Sequence, residues 1–321
     1  MAELPIALTM GDPAGVGPEI TVLALAGGAL SFPVRVIGDR GRLKAALEVL
    51  SGNGRIDGFD LDSIDLIDLA NVSSGLAWGR LAAEAGRACF EYVEAAAKLT
   101  LAGKAAAVCT APINKEAWRA AGVPHPGHTE ALAALCGTER FAMMLVNQRL
   151  RVVHLSTHSS LLEAIALATS ERCVECLQLA AGFLRDQAGI PNPRLAVAGI
   201  NPHAGENGLL GKEDRDRLLP AVTTARAGGI DASGPWSPDT VFARAAAGEF
   251  DCVIAAYHDQ GHIPIKMLGL DSGVNVTIGL PIIRTSVDHG TAFDIAGKGL
   301  VRSENLVTAL NLAHDLALVR S

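Results

Sequence analysis

The sequence predicts an α/β fold with a largely parallel sheet. Short apolar, β-branched runs alternate along the chain with longer amphipathic stretches, which is typical of strands joined by crossover helices. In addition, three of the strand-like runs, residues 151–158, 194–203 and 252–258, end in a histidine within a polar cluster. Ligands of open α/β sheets bind outside the carboxyl ends of the strands, so this second pattern indicates where the function lies.

The remaining elements follow the same alternation. Strands are also expected within residues 5–9, 34–37 and 105–110, and a further β region, interrupted by Pro281, is expected over residues 273–284. Helices are expected over residues 79–102 and 171–187. No internal repeat or low-complexity linker marks a domain boundary by composition.

Composition narrows the class of protein. The chain has 321 residues, of which 49% are hydrophobic and 19% charged, so it has a sizeable core and is not disordered. Its net charge is −7 and it has no basic block, so nucleic acid is not expected as a partner. No apolar run reaches the length of a membrane span, and the N-terminus has no basic segment of a signal peptide. A cytoplasmic protein, with no membrane partner, is expected.

The cysteines do not indicate a metal or redox site. Cys173 and Cys176 form a CxxC, but they lie in a helix-like segment and no second pair exists to complete a zinc site. A chain of this size also needs no disulfide staples.

His158, His203 and His258 stand at or beyond the ends of three strand-like runs, two of them beside acidic or amide groups. Imidazole nitrogens are ligands that zinc and similar divalent ions accept, so the three side chains are candidates for one metal site. The alternative is that they are three unrelated polar loop residues.

Two further motifs follow strands early in the chain. GDPAGVGPE (residues 11–19) suits a tight strand-to-helix turn whose free amides favour anions, although it also reads as a generic turn. TAPINKEA (residues 110–117) is followed by GHTE (residues 127–130), where His128 or Thr129 is expected to cap a helix. The N-terminus of that helix can face a phosphate, or the residue can cap the helix without any ligand.

The last two motifs carry charged and glycine-rich segments. YHDQGH (residues 257–262) continues to Lys266, Asn275 and Arg284, which are side chains able to bind phosphate or carboxylate oxygens. The loop of residues 288–299 is polar at its start and rich in glycine, which suits the ribose and adenine of a nucleotide.

Together with GLPIIRTSVDHGTAFDIAGKG (residues 279–299), these motifs resemble the 4-hydroxythreonine-4-phosphate dehydrogenase family of pyridoxal phosphate biosynthesis over essentially the whole chain. Two of them also resemble the β-decarboxylating dehydrogenases that act on isocitrate and isopropylmalate. The resemblance implies a two-domain α/β/α fold of that kind, with the active site in the interdomain cleft. It implies domains of residues 1–125 plus 289–321, on the cofactor side, and 126–288, for metal, substrate and dimerisation.

The resemblance also assigns residues. It places the metal ligands on His158, His203 and His258. It places substrate binding on His128, Thr129, Lys266, Asn275 and Arg284, with Lys266 also the candidate for proton transfer. The expected cofactor-binding residues are Gly11, Asp12, Asp288, His289, Gly290, Thr291 and Asp294. NAD, or NADP, is the implied cofactor, with one Zn, Mg, Co or Mn ion per site shared across a homodimer.

The implied reaction is oxidative decarboxylation of 4-phosphooxy-L-threonine to 3-amino-2-oxopropyl phosphate and CO2. The alternative substrate is D-threonate or D-erythronate 4-phosphate, which gives dihydroxyacetone phosphate and CO2, because His262 and its surroundings resemble that paralogous branch. Two other classes of function stay open, a metal-dependent hydrolase and a non-catalytic binding protein for phosphorylated metabolites.

Overall fold

The computed structural model describes residues 3–269 and 273–320. The chain divides into two compact units: unit 1 is Met1–Glu139 with Leu280–Leu318, and unit 2 is Arg140–Gly279 with Val319–Ser321. Residues 126–139 and 280–288, which the sequence analysis places in the second domain, therefore group with unit 1. None of the described helices is both long and apolar enough to cross a membrane.

Unit 1 is built on five parallel strands in the order β3-β2-β1-β4-β11. Numbered in chain order, these strands are β1 (Ile6–Thr9), β2 (Val34–Gly38), β3 (Asp65–Asp68), β4 (Ala107–Thr110) and β11 (Arg284–Val287). Its helices are α1 (Gly17–Ala26), α2 (Arg40–Gly52), α3 (Ala83–Leu101), α4 (Lys115–Ala120), α5 (His128–Leu135) and α11 (Glu304–Arg320), the last of which ends in unit 2.

The described residues of unit 2 form six strands in the order β10-β5-β6-β9-β7-β8. The strands are β5 (Ala142–Val146), β6 (Arg151–His154), β7 (Leu195–Ala198), β8 (Ala232–Trp236), β9 (Cys252–Ala255) and β10 (Val274–Ile278). The helices are α6 (Leu161–Leu167), α7 (Ser170–Asp186), α8 (Leu219–Ala227), α9 (Val241–Ala246) and α10 (His258–Met267). Short helical turns cover Pro202–Gly208 and Asp214–Leu218.

The predicted α/β class is confirmed, and most of the strand pairs are parallel. In unit 2, β5 pairs antiparallel with both β10 and β6. The central strands are buried along their whole length, as in β4, β7 and β9, which explains why they read as continuous apolar runs. Cys173 and Cys176 lie on the buried face of α7, and all six cysteines are free thiols.

Gly86 sets how closely α3 and α4 approach in unit 1. A Cβ at Gly86 would lie 2.1 Å from the carbonyl oxygen of Ala117, a backbone atom that cannot rotate away. By contrast, a Cβ at Gly182 in the middle of α7 would meet no atom within 4 Å. Gly86 therefore has a packing role and Gly182 has none, so substitutions of the two can be compared directly.

Gly86→Ala is expected to lower the free energy of unfolding by about 1–3 kcal/mol, because the added methyl group forces the two helices apart. Gly182→Ala is expected to raise it by about 0.5–1 kcal/mol, because alanine restricts the unfolded chain and suits a helix interior. Denaturant titration of both variants measures the difference. Equal effects of the two substitutions would contradict the close helix contact.

Candidate active site

Three neighbouring parallel strands of unit 2 lead to the three candidate metal ligands. Strand β9 lies between β6 and β7, with Val153 and Val197 both in register with Ile254. Their carboxyl ends therefore lie at one edge of the sheet. His158 follows β6, His203 follows β7, and His258 follows β9 as the first residue of α10. The sequence pattern thus marks segments that leave the sheet side by side.

His258 is held by neighbours on α10. Its Nδ1 lies 2.7 Å from Oδ1 of Asp259, and its ring stacks on the ring of His262 at a centroid distance of 3.6 Å. A carboxylate on one ring nitrogen fixes the tautomer of a metal-binding histidine and leaves the other nitrogen for the metal. Nε2 of His258 is therefore the atom available to a ligand.

His262 lies between His258 and His154, the last residue of β6. Its ring is 4.8 Å from that of His154, and its Nδ1 contacts the carbonyl oxygen of His258 at 3.0 Å. Burial, together with the charges of His262 and His258, lowers the pKa of His154 to about 3, so His154 is neutral at physiological pH. Gly261 permits this packing, since a Cβ there would lie 2.3 Å from Nε2 of His154.

His203 lies in a left-handed turn. Residues 203–207 all have positive φ, and four of them, His203, Ala204, Glu206 and Asn207, are not glycine. The left-handed conformation costs an L-residue about 1–2 kcal/mol, so the turn is strained unless its surroundings hold it. His203 is exposed at this turn, while Gly205 is buried beneath it.

A buried glutamine connects the segments that precede His203 and His258. Gln260 accepts a hydrogen bond from the backbone of Ala256 and donates one to the carbonyl oxygen of Gly199, each 2.7 Å long. Because Gly199 follows β7 and Ala256 follows β9, this side chain fixes the spacing of the two strand ends.

His158 is exposed, and its Nδ1 lies 3.3 Å from Oγ1 of Thr157. The chemistry of three imidazoles fits a divalent ion. However, over residues 3–269 and 273–320 of this single chain, no group of three His, Cys, Asp or Glu side chains is placed to hold a metal. The three histidines thus share a sheet edge without forming a ligand cluster within one chain.

Unit 1 repeats this arrangement at its own sheet edge. Strands β1, β4 and β11 are parallel neighbours, and they lead into the GDPAGVGPE, TAPINKEA and residue 288–299 segments, respectively. Gly11 is required at the first of these, because its φ is +76° and a Cβ would lie 2.6 Å from the carbonyl oxygen of Pro112. The expected cofactor motifs are therefore brought together.

A positive cluster lies beside the end of β4. Arg284 is buried and donates from Nη2 to Oγ1 of Thr110 over 2.8 Å. Burial and the charges of Arg284 and Lys115 hold the pKa of His128 well below its ordinary value. The Nε2 atom of His128 is buried and has no hydrogen-bond partner among the described residues, which suits a ligand at this point. Thr129 follows in the first turn of α5.

Lys115 lies beside this cluster as well, and the sequence analysis did not single it out. It is the first residue of α4, and its Cε lies close enough to Gly127 that a Cβ there would be 3.4 Å away. The signal was present, because Lys115 belongs to the quoted TAPINKEA motif. It was overlooked because a single lysine at a helix start does not by itself indicate its neighbour in space.

The segment of residues 288–299 is held by buried polar groups of unit 1. Glu19 accepts hydrogen bonds from the amides of Gly297 and Gly299, both 2.8 Å long, and burial raises its pKa. The start of the segment is fixed where Val16 donates to the carbonyl oxygen of Thr291 over 3.0 Å. His289, Gly290 and Asp294 of the same segment are exposed, and Asp288 is half-buried.

Lys266 and Asn275 belong to unit 2. Lys266 is half-buried in the last turn of α10, about two turns from His258, and Asn275 lies on β10 opposite Leu145 of β5. The Oδ1 atom of Asn275 is buried and accepts no hydrogen bond from the described residues. An amide oxygen in that state suits a polar ligand.

A sequence profile described as "Pyridoxal phosphate biosynthetic protein PdxA" matches residues 31–313. The chain therefore belongs to the PdxA family, which confirms the family resemblance read from its motifs. A crystal structure of a 4-hydroxythreonine-4-phosphate dehydrogenase from Klebsiella pneumoniae is 45% identical and has a TM-score of 0.89. It covers 98% of this chain and 100% of that chain, which confirms the expected fold class.

Two relatives of nearly equal length carry different names. A D-threonate 4-phosphate dehydrogenase from Cupriavidus necator is 48% identical over 98% of this chain and 98% of its own length. A 4-hydroxythreonine-4-phosphate dehydrogenase from Desulfosudis oleivorans is 44% identical over 97% of this chain and 96% of its own.

Asp12 gives the unit 1 edge a testable pH dependence. Burial raises the pKa of Asp12 to about 6, although its Oδ1 accepts a 2.8 Å hydrogen bond from the amide of Ala14. A folded pKa above the unfolded value means that the folded state holds the proton more tightly. The contribution of protonated Asp12 to the free energy of unfolding is thus fully present below about pH 4 and is lost as the pH rises through about 6.

Relative to Asp12→Asn, the wild-type protein is expected to lose about 1.4 kcal/mol of unfolding free energy per pH unit between roughly pH 4 and pH 6. Above that range the difference should be constant. Urea titrations at several pH values measure it. A difference that rises with pH over the same range would mean that Asp12 is stabilised as a carboxylate.

Proposed function

We propose that this protein is a divalent-metal-dependent, NAD-dependent dehydrogenase that oxidatively decarboxylates a 4-phosphorylated hydroxy acid. The observation that carries the proposal is that His158, His203 and His258 follow three adjacent parallel strands in a chain of the PdxA family. Relatives named as dehydrogenases of such 4-phosphates cover nearly the whole chain and support it.

The chemistry follows from the substrate class. The segment of residues 288–299 would hold NAD, which would supply a hydride acceptor for the carbon bearing the hydroxyl, and His158, His203 and His258 would hold a divalent ion, which would supply a Lewis acid for the oxygen on that carbon. The ketone formed lies β to the carboxylate, so CO2 can leave. Within the chain, the contact of Asp259 with Nδ1 of His258 leaves Nε2 as the nitrogen available to a ligand, and Gln260 fixes the spacing of two ligand-bearing segments. Lys266 is the proposed proton donor.

The proposed substrate contacts are those expected from the resemblance. The buried, donor-rich Arg284 and the orphaned Nε2 of His128 support them, since a phosphate supplies the acceptors that these groups need. Lys115, which adds positive charge beside His128, joins this set. NAD is assigned to the segment of residues 288–299 and to Gly11 and Asp12, and NADP is the alternative cofactor.

A homodimer and a cytoplasmic location are part of the proposal. Large apolar side chains near the ligand-bearing segments of unit 2 are exposed and support a partner surface: Leu161, Leu162, Leu167, Leu209 and Leu210. A histidine contributed by the partner subunit would complete the set of metal ligands, which one chain alone does not bring together. The free cysteines fit a reducing compartment.

We propose D-threonate 4-phosphate as the preferred substrate, with 4-phosphooxy-L-threonine as the alternative. The sequence analysis put 4-phosphooxy-L-threonine first, and relatives of both names support the shared reaction. However, the Cupriavidus necator enzyme is 48% identical and the Desulfosudis oleivorans enzyme 44%. The two substrates differ at carbon 2, which carries a hydroxyl in one and an ammonium group in the other, so the same residues can perform both oxidations.

His203→Asn is expected to reduce turnover at least about 100-fold, because it removes a proposed metal ligand. Loss of a residue that only supports a ligand costs about 10- to 100-fold. Asparagine accepts the left-handed conformation of this position but lacks the imidazole. NADH formation with Mn²⁺, and Mn²⁺ binding by calorimetry, measure the effect.

Two outcomes would contradict this assignment. Full activity of the chelator-treated wild type would exclude the metal, and unchanged Mn²⁺ affinity of His203→Asn would exclude this ligand. Formation of product without NADH would point to the hydrolase alternative, and binding of substrate without any turnover would point to the binding-protein alternative.

For substrate choice, we expect kcat/KM to favour D-threonate 4-phosphate over 4-phosphooxy-L-threonine by about a hundredfold, or roughly 2.7 kcal/mol. A purified enzyme with NAD and Mn²⁺ is assayed on both compounds and on D-erythronate 4-phosphate. A preference for the amino compound would restore the order given by the sequence, and feeble rates on all three would contradict the substrate class.

A further inference from the structure

Asp214 lies beneath the left-handed turn that carries His203. It is 1% exposed, and its carboxylate accepts three hydrogen bonds from the two residues that enter the turn. Oδ1 accepts from the amide of Ile200 over 2.6 Å, and Oδ2 accepts from the amide and the side chain of Asn201 over 3.1 and 2.8 Å. One buried carboxylate therefore fixes the chain at the point where it becomes left-handed.

The space around Asp214 is closed by glycines. A Cβ at Gly199 would lie 3.0 Å from Oδ1 of Asp214, and one at Gly205 would lie 3.2 Å from Oδ2. Gly211 lies against Asn201, where a Cβ would be 2.5 Å from Nδ2. The carboxylate thus binds the entry of the turn, and neither Gly199 nor Gly205 leaves room beside it for a larger side chain.

Asn201 is the second member of this contact. Its carbonyl oxygen accepts a 3.0 Å hydrogen bond from the amide of Ala204, inside the turn, and its Nδ2 also donates to Glu213 over 2.9 Å. A shift of Asn201 would therefore pass directly to the residue after His203. Four non-glycine residues in the left-handed region need such support, because each favours a right-handed conformation.

We propose that Asp214 is the positioning residue for His203: its carboxylate holds the left-handed turn and so fixes where the imidazole lies. Asp214 acts through the backbone and touches no reactant. The expected effect of Asp214 on metal binding rests on the proposed function. Its expected effect on the conformation of the turn is independent of that function.

Asp214→Asn is the direct test, because an amide of the same shape presents an N–H to amides that need an acceptor. Asp216→Asn is the matched control: Asp216 lies two residues away, is exposed, and has a 2.7 Å ion pair with Arg215. In the metal-free protein, amide hydrogen exchange over residues 199–211 is expected to accelerate at least about tenfold in Asp214→Asn. It should not change in Asp216→Asn.

Mn²⁺ titration of the same metal-free proteins is the second measurement. The dissociation constant should rise about 10- to 100-fold in Asp214→Asn and stay within about twofold of wild type in Asp216→Asn. Excess Mn²⁺ should restore turnover of Asp214→Asn, which a general loss of folded protein would not allow. Asn201→Ala, measured in the same way, replaces Asp214→Asn if that variant does not fold.

The outcomes separate the two proposals. Unchanged exchange over residues 199–211 in both Asp214→Asn and Asn201→Ala overturns the inference, as does an equal loss of Mn²⁺ affinity in Asp214→Asn and Asp216→Asn. If wild type binds no Mn²⁺, the proposed metal chemistry fails, and the exchange measurement alone decides the role of Asp214.

Discussion

Parallel pairing of adjacent strands is the constraint on which both candidate sites depend. In unit 2, β6, β9 and β7 run in the same direction and in register, so the segments after them must leave the sheet at one edge. In unit 1, β1, β4 and β11 impose the same condition. Backbone hydrogen bonds between the strands therefore bring residues that are distant in sequence close together at the edge of the sheet. The side chains then need only to fix each segment once it has left the sheet.

That fixing relies on buried polar groups that accept from backbone amides. Gln260, Asp214 and Glu19 each accept a hydrogen bond from a backbone amide of a segment that follows a strand. Such segments have no strand partner for their amides, and a buried amide without an acceptor is costly. A single carboxylate or amide side chain satisfies several of these donors. Burial also carries a desolvation cost for a carboxylate, and this cost raises the pKa of Glu19 and of Asp12.

The sequence predicted the elements that follow simple periodicity. The alternation of apolar runs identified the central strands, and polar residues at their ends identified the histidines and the two glycine-rich segments. Strand β8 has the sequence ASGPW, whose glycine and proline do not read as a strand. The left-handed turn was also beyond prediction, because four of its five residues are not glycine and its conformation depends on Asp214. Tertiary contacts decide both features.

The hydrogen bonds that the amides of Gly297 and Gly299 donate to Glu19 also constrain the order of folding during synthesis. The partners are 278 and 280 residues apart, and β11, which completes the sheet of unit 1, begins only at Arg284. Most of unit 2 is one continuous segment that leaves the ribosome earlier. The sheet of unit 1 therefore stays incomplete, with the edge of β4 unpaired, while the ribosome synthesises residues 140–279. An unpaired strand edge attracts other chains, so the nascent protein is most exposed to aggregation and to chaperones during this interval.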